Sequence, residues 1–167
     1  GQEAYSIAMI LDGLGLAAQG WTIDLIATDL SAAAIARAEE GRYDAEEMTR
    51  GLGDAQRATW FRPSGEQWRV TGPLRRMVDF RVFNLLDSYG WLDDLDFIFC
   101  RNVLMYFDRA AKASVLERMA DTLAPDGLLL LGETETTEPL PNLFIEVPGG
   151  EAVYGRGRAP VSRLAAG

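Results

Sequence analysis

Short apolar runs alternate with helical periodicities along most of this chain. Tyr5, Ile7, Ala8, Leu11 and Leu14 fall near helical spacing, so residues 3–18 read as a helix that Gly20 ends. WTIDLIAT, residues 21–28, is apolar and β-branched and reads as a buried strand ending at Asp29. Ser31 is a good N-cap for the helix SAAAIARAEE, and Gly41 is its stop. Residues 43–77 change character: aromatics (Tyr43, Trp60, Phe61, Trp68) mix with turn signals at Arg62-Pro63-Ser64-Gly65 and Gly72-Pro73. This segment predicts one or two short helices and a hairpin near Thr59–Phe61 and Gln67–Val70, inserted in the main domain. Strands follow at 78–83, ending at Asn84, and at 95–100. An amphipathic helix opens at Asp108, spans 109–123 and stops at Pro125-Asp126-Gly127. Residues 128–132 are a buried strand, 139–150 a proline-bearing loop, and 151–156 a last short strand before a small-residue tail, 157–167, that reads as disordered. No internal repeat is visible.

Strand–helix alternation predicts an α/β sheet with right-handed crossovers. A length of 167 residues is one domain by the usual prior of ~100–200 residues per domain. No apolar run approaches the ~20 residues of a membrane span; the longest, around Leu128–Leu131, is strand length. No targeting segment is visible at the start. One cysteine allows no internal disulfide, so the expected location is cytoplasmic.

The absence of histidine removes Ser-His-Asp and Cys-His catalysis and histidine-ligated zinc, and a single cysteine builds no thiolate metal site. No metal is therefore expected, and the chemistry falls to carboxylates, Arg, Tyr, Asn, backbone groups or a cofactor. A net charge of −9 argues against general nucleic-acid binding. Charge is uneven, however: Arg57, Arg62, Arg69, Arg75, Arg76 and Arg81 outnumber Glu66 and Asp79 in the stretch 57–81. That stretch reads either as a solvated face or as a dock for an acidic partner.

FIFCRNVLMYFD, residues 97–108, is the most informative segment. A buried strand breaks into Arg101-Asn102 with no glycine or proline to force the turn. A polar pair at the carboxyl end of a buried strand either ties down a loop or binds something, and that edge is where ligands sit in open α/β sheets. The expected topology makes Asp29, Asn84, Arg101 and Asn102 neighbours at that edge. A carboxylate just after a strand suits two ribose hydroxyls, because it accepts from both; alone, Asp29 reads equally as a cap or a surface residue. Asn84 followed by Leu85 offers an amide beside an apolar wall, which suits an adenine.

The strings GQEAYSIAM (1–9), IATDLS (26–31), AEEGRY (38–43), FRVFNLLD (80–87), FIFCRNVLMYFD (97–108) and LAPDGLLLLGETET (123–136) resemble the CheR family of chemotaxis receptor methyltransferases. The resemblance runs in order from residue 1 to about 156 and implies S-adenosylmethionine-dependent protein-glutamate O-methylation, with S-adenosylhomocysteine as product. It implies a Rossmann-like class I methyltransferase sheet with 43–77 as a small inserted antiparallel β-subdomain that helps engage the receptor. Gly1 lies in the family's cofactor loop, and Glu3 matches a position near the methionine amino group. Asp29 matches the acid on the ribose, and Asn84 with Leu85 the adenine contacts. Asn102 matches a cofactor-facing position with Arg101 beside it, and Tyr106 matches the tyrosine lining the methyl-transfer site. Alternatively, Glu3 is a first-turn helix acid and Tyr106 a half-buried core tyrosine.

The implied chemistry suits a chain without histidine. A glutamate nucleophile has a pKa near ~4.3 and is already an anion at neutral pH. The task left to the protein is alignment and exclusion of water, with Tyr106 the candidate for alignment and Arg101 holding a nearby carboxylate or the loop. The family's substrates are acidic coiled-coil receptor helices, which the stretch 57–81 is correctly signed to meet; charge reversal at Arg62 and Arg69 is expected to weaken receptor methylation. The turn between Phe61 and Val70 is short for the family members that also grip a receptor tail, so a tail-independent enzyme is expected. The expected state is a monomer, with neither nucleic-acid binding nor membrane insertion.

Departures from the family pattern are visible. Ala4 stands where proline is usual, and Glu133-Thr134-Glu135 where His-Ser-Glu is common; both bear on substrate fit more than on the core chemistry. Against the family pattern, the N-terminal helical domain, a strand and most of a glycine-rich turn are absent ahead of Gly1, so the expectation is either a sequence that starts partway through a longer protein or a fragment that rearranges or borrows a strand. Without that strand, 21–28 and 95–100 are expected to face unpaired backbone groups. The alternative functions are another nucleoside-using enzyme, such as a different methyltransferase or a dehydrogenase, or a non-catalytic interaction module. The lack of G-x-G-x-x-G gives no support to a dehydrogenase.

Overall fold

The computed structural model describes residues 1–157, so the expected tail falls outside the described residues except for Gly157, whose N–H donates to the Leu143 carbonyl at 2.7 Å. The chain forms two compact units, Gly1–Asn84 and Leu85 onward. Parallel and antiparallel strand pairs both occur, and helices intervene between strands, so the architecture is mixed α/β.

In the first unit, helix α1 (Gln2–Gly13) is shorter than the periodicity suggests; the chain continues through a single 3-10 turn, Ala17–Gln19, which Gly20 ends at φ 89°. Strand β1 (Leu25–Asp29) begins later than the apolar run and ends where expected. Helix α2 (Ala32–Glu40) has the predicted caps: Ser31 Oγ accepts from the Ala34 N–H at 3.2 Å, and Gly41 takes the left-handed conformation. The next segment contains β2 (Arg42–Tyr43), a 3-10 turn (Glu47–Thr49), α3 (Asp54–Trp60), β3 (Phe61–Ser64), β4 (Gln67–Val70) and α4 (Gly72–Arg76). These strands form an antiparallel sheet in the order β2–β4–β3. The hairpin's first strand starts two residues later than predicted because α3 runs through Trp60. Pro63 is tolerated inside β3 because β3 is an edge strand.

Strand β5 (Val78–Val82) returns to pair with β1 in parallel, from Leu25↔Val78 to Asp29↔Val82. Tyr5, Ala8 and Met9 of α1 share a core with Tyr43, Met48, Phe61, Val70, Leu74 and Val78. The segment after α2 therefore packs into the same core as the parallel pair. Tyr5 and Tyr43 meet edge to face at 6.5 Å, and Tyr5 Oη donates to the Ala38 carbonyl at 2.8 Å. Burial pushes the Tyr5 pKa up to about 12 and raises that of Tyr43 further, so both stay neutral phenols.

In the second unit, β6 (Leu95–Cys100) pairs in parallel with β7 (Leu123–Leu131), and the sheet order is β6–β7–β9–β8, with β8 at Phe144–Glu146 and β9 at Val153–Arg156. Helix α5 (Arg109–Thr122) opens on Asp108, whose Oδ1 accepts from the Ala111 N–H at 2.8 Å. Its buried face carries Val115, Leu116, Met119 and Ala120 at helical spacing. No loop separates α5 from β7; Leu123 is already extended, and the expected stop Pro125-Asp126-Gly127 lies inside the strand. The register with β6 shifts between Leu95 and Phe97 to absorb those residues. Strand β8 was not legible, because it falls among the prolines of 139–150.

Among the described residues, β1 has β5 on one side only, and β6 has β7 on one side only. Phe97 and Phe99 share a face of β6 and are 59% and 40% exposed. No helix among the described residues is long and apolar enough to cross a membrane.

Candidate active site

Parallel strands bring their carboxyl ends to one edge, and each unit has such an edge. In the first unit it carries Asp29 and Asn84. Asp29 is the last residue of β1, and its carbonyl accepts from the Phe83 N–H at 3.0 Å, so Asn84 follows directly beside it. Asp29 Oδ1 accepts from the Ser31 N–H at 2.7 Å, which orients the exposed carboxylate at the strand end. Its Oδ2 has no hydrogen bond among the described residues. The turn-capping and ligand-binding readings of Asp29 are thus compatible: one oxygen shapes the turn and the other is available to a hydroxyl.

Gly1 and Glu3 sit at the N-terminal end of α1. A Cβ on Gly1 would come within 2.7 Å of Ala38 Cβ and 3.4 Å of Phe80, so this position is pressed against α2 and β5 and takes no larger side chain without a shift. Glu3 is exposed in the first helical turn, where a carboxylate complements the helix dipole.

In the second unit, the residues after β6 form a compact loop rather than continuing the strand. Arg101 and Asn102 are exposed, and Asn102 takes φ 58°. A single 3-10 turn follows at Leu104–Tyr106. Leu104 is 1% exposed and pins the turn, whereas Tyr106 is 81% exposed. That exposure rejects the half-buried core reading of Tyr106 and leaves its ring presented to solvent. Leu85 is half-buried, and its carbonyl accepts from Arg118 of α5 at 3.3 Å.

Glu135, the last residue of the Glu133-Thr134-Glu135 run, holds this loop from below. Glu135 is 4% exposed. Its Oε2 accepts from the N–H groups of Asn102 at 2.7 Å and Gly132 at 2.9 Å, and its Oε1 from the Met105 N–H at 3.2 Å. Burial alone raises its pKa, but these donors, with the Leu104 N–H, outweigh burial and hold it below the usual carboxylate value. Sequence reasoning missed it because its partners are backbone groups, which leave no trace in residue type.

The basic stretch is more tied down than its sequence suggests. Arg62 Nη1 donates to the carbonyls of Ala58, Thr59 and Phe61 at 2.8, 3.2 and 2.7 Å, closing the end of α3. Arg69 Nε reaches the Glu40 carbonyl at 3.1 Å and Arg75 Nη1 the Glu39 carbonyl at 3.4 Å, both at the end of α2. Arg81 pairs with Asp79 at 2.6 Å. Arg76 is exposed and has neither hydrogen bond nor ion pair among the described residues.

The family model for the S-adenosylmethionine-binding domain of the CheR methyltransferases matches residues 1–153. The chain is 41% identical to the chemotaxis protein methyltransferase Cher2 of Pseudomonas putida, over 86% of this chain and 54% of that protein. It is 40% identical to chemotaxis protein methyltransferase 1 of Pseudomonas aeruginosa, with the same coverage. It is 36% identical to the chemotaxis protein methyltransferase of Escherichia coli, over 92% of this chain and 54% of that protein. The chain thus spans about half the length of the curated relatives it matches.

Proposed function

This chain belongs to the CheR methyltransferase family, and we propose that it serves the transfer of a methyl group from S-adenosylmethionine to glutamate carboxylates of chemotaxis receptors, giving glutamyl methyl esters. The observation that carries this reading is the edge of the β1–β5 pair. A strand-end carboxylate with one unengaged oxygen stands next to the Phe83-Asn84 backbone, as a ribose and its base require. When bound, the donor supplies an activated sulfonium methyl group. Asp29 would accept from the ribose hydroxyls, and Asn84 and Leu85 would line the adenine. Gly1 and Glu3 would serve the amino-acid end, and the family resemblance assigns Asn102, on the loop after β6, to the donor as well.

The attacking glutamate is an anion at neutral pH, so no residue here acts as a base. Tyr106, exposed on a turn fixed by Leu104, aligns the reacting carboxylate, and Arg101 holds a neighbouring carboxylate or the loop. The finer fold reading is a Rossmann-like class I methyltransferase sheet with 43–77 as an inserted β-subdomain. It is supported by the parallel pairing within each unit and by the antiparallel β2–β4–β3 sheet. The β3–β4 connection is a two-residue turn, Gly65-Glu66, with Gly65 at φ 65°. So short a connection favours methylation that does not depend on gripping a receptor tail. The positive stretch 57–81 is the proposed contact for acidic receptor helices in the cytoplasm.

Calorimetric titration of S-adenosylhomocysteine into the chain, with Asp29→Ala as control, tests the reading. Micromolar binding that the substitution removes supports it; binding that ignores the substitution refutes the assigned site.

A further inference from the structure

The loop that carries Asn102 and Tyr106 is shaped by one buried side chain. Asn102 is in the left-handed region, which asparagine enters more readily than other residues with a side chain. The buried carboxylate of Glu135 holds its amide. Its two oxygens collect the amides of Asn102, Met105 and Gly132, and its own N–H donates back to the Gly132 carbonyl at 2.9 Å. Three charge-assisted bonds converge on one buried carboxylate, joining the end of β6 to the end of β7. The fit is tight: a Cβ on Gly132 would lie 3.0 Å from both Asn102 Nδ2 and Glu135 Oε2. Both carboxylate oxygens are engaged and buried, so Glu135 neither touches substrate nor moves a proton.

We propose that Glu135 is a positioning residue for methyl transfer, its carboxylate holding the 101–106 backbone so that Asn102 and Tyr106 present their side chains in one fixed arrangement. The inference rests on the methyltransferase reading above for its functional half and on geometry alone for its structural half. It also separates two roles that volume alone confounds. A group that merely fills space is replaced without loss by an isostere. A group that gathers three N–H donors is not, because a glutamine amide turns an NH2 donor toward one of them and leaves that amide unmade.

The test is Glu135→Gln in the 167-residue chain. Amide hydrogen exchange by NMR reads the loop, and S-adenosylhomocysteine titration with methyl transfer to a receptor fragment reads the function. In the variant, the amides of Asn102, Met105 and Gly132 exchange about tenfold faster or more, while those of α5 and β9 keep their rates. The affinity for S-adenosylhomocysteine falls and kcat drops about tenfold, with the KM for receptor unchanged. Wild-type loop exchange and wild-type kcat in Glu135→Gln overturn the proposal. If that variant does not fold, Gly132→Ala crowds the same carboxylate from the β7 side and must accelerate exchange at the same amides; unchanged exchange there also overturns it. A wild-type chain that binds no S-adenosylhomocysteine refutes the methyltransferase reading instead, and loop exchange then decides the structural half by itself.

Discussion

Asp29 and Glu135 are both carboxylates at the carboxyl edge of a parallel strand pair, yet only the first was visible in the sequence. Asp29 announced itself as an acid ending an apolar run. Glu135 is recognised only through amides as many as 33 residues away in sequence. The two also respond differently to change. Asp29→Asn keeps an oxygen for the Ser31 N–H but removes the charge that strengthens a bond to a hydroxyl. S-adenosylhomocysteine affinity should fall about tenfold to a hundredfold, the weight of a hydrogen bond to a charged group, with the melting temperature nearly unchanged. Glu135 instead couples to stability through pH. Its folded pKa is depressed, so its contribution is complete above the unfolded value of about 4.3 and is lost as pH falls through the folded value. Wild type should therefore lose more stability between about pH 5 and pH 3 than Glu135→Gln does, measured by urea denaturation at each pH. Equal acid sensitivity in the two proteins would contradict the depressed pKa.

At the scale of elements, local signals succeeded where a side chain closes its own turn and failed where a distant strand decides. Helix α2 was legible from end to end, because Ser31 and Gly41 act within a few residues of themselves. Strands β2 and β8 were not, being two and three residues long and defined by their partners β4 and β9. The run Pro125-Asp126-Gly127 does end α5, but it falls in a bulge of β7 rather than in a loop: the β6 register steps from Leu95↔Leu123 to Phe97↔Leu128 and passes over it. The two ends of α2 make a quantitative comparison. Ser31→Ala removes one cap bond and should cost about 1 kcal/mol. Gly41→Ala forces a side chain into φ 59° and places its Cβ 3.0 Å from Arg75 Cδ and 3.2 Å from Tyr5 Oη. It should cost more, about 2 kcal/mol or above, since the left-handed conformation alone costs about 1–2 kcal/mol. Chemical denaturation of both variants ranks them; a smaller loss at Gly41 would mean that Arg75 and Tyr5 relax freely.

For the whole molecule, the strand–helix alternation gave the mixed α/β class, and a family-specific string after β6 gave the relationship, but charge was only half readable. A net charge of −9 hides a positive segment, and counting arginines does not say which of them face outward. The structure sorts them. Arg62, Arg69 and Arg75 spend their donors on helix-end carbonyls, so charge reversal at Arg62 or Arg69, the probe the sequence suggested, would also damage α3 or α2. Arg76 is the cleaner probe, because it is exposed and carries no such bond among the described residues. Tied-down guanidinium groups still contribute their charge to the field, and a field acts on encounter more than on the bound state. Screening reaches about 10 Å at about 0.1 M salt. If 57–81 meets acidic receptor helices, kcat/KM for receptor should fall several-fold between about 20 mM and 200 mM salt, while S-adenosylhomocysteine affinity holds steady. Arg76→Glu should lower the low-salt rate by about two- to fivefold and flatten that slope, because reversing a charge at the rim, a change of two units, alters association rate and little else. A slope that Arg76→Glu leaves unaltered would move the contact off this stretch. A salt-independent rate would remove electrostatic docking altogether and leave the acidic helix to be recognised by shape.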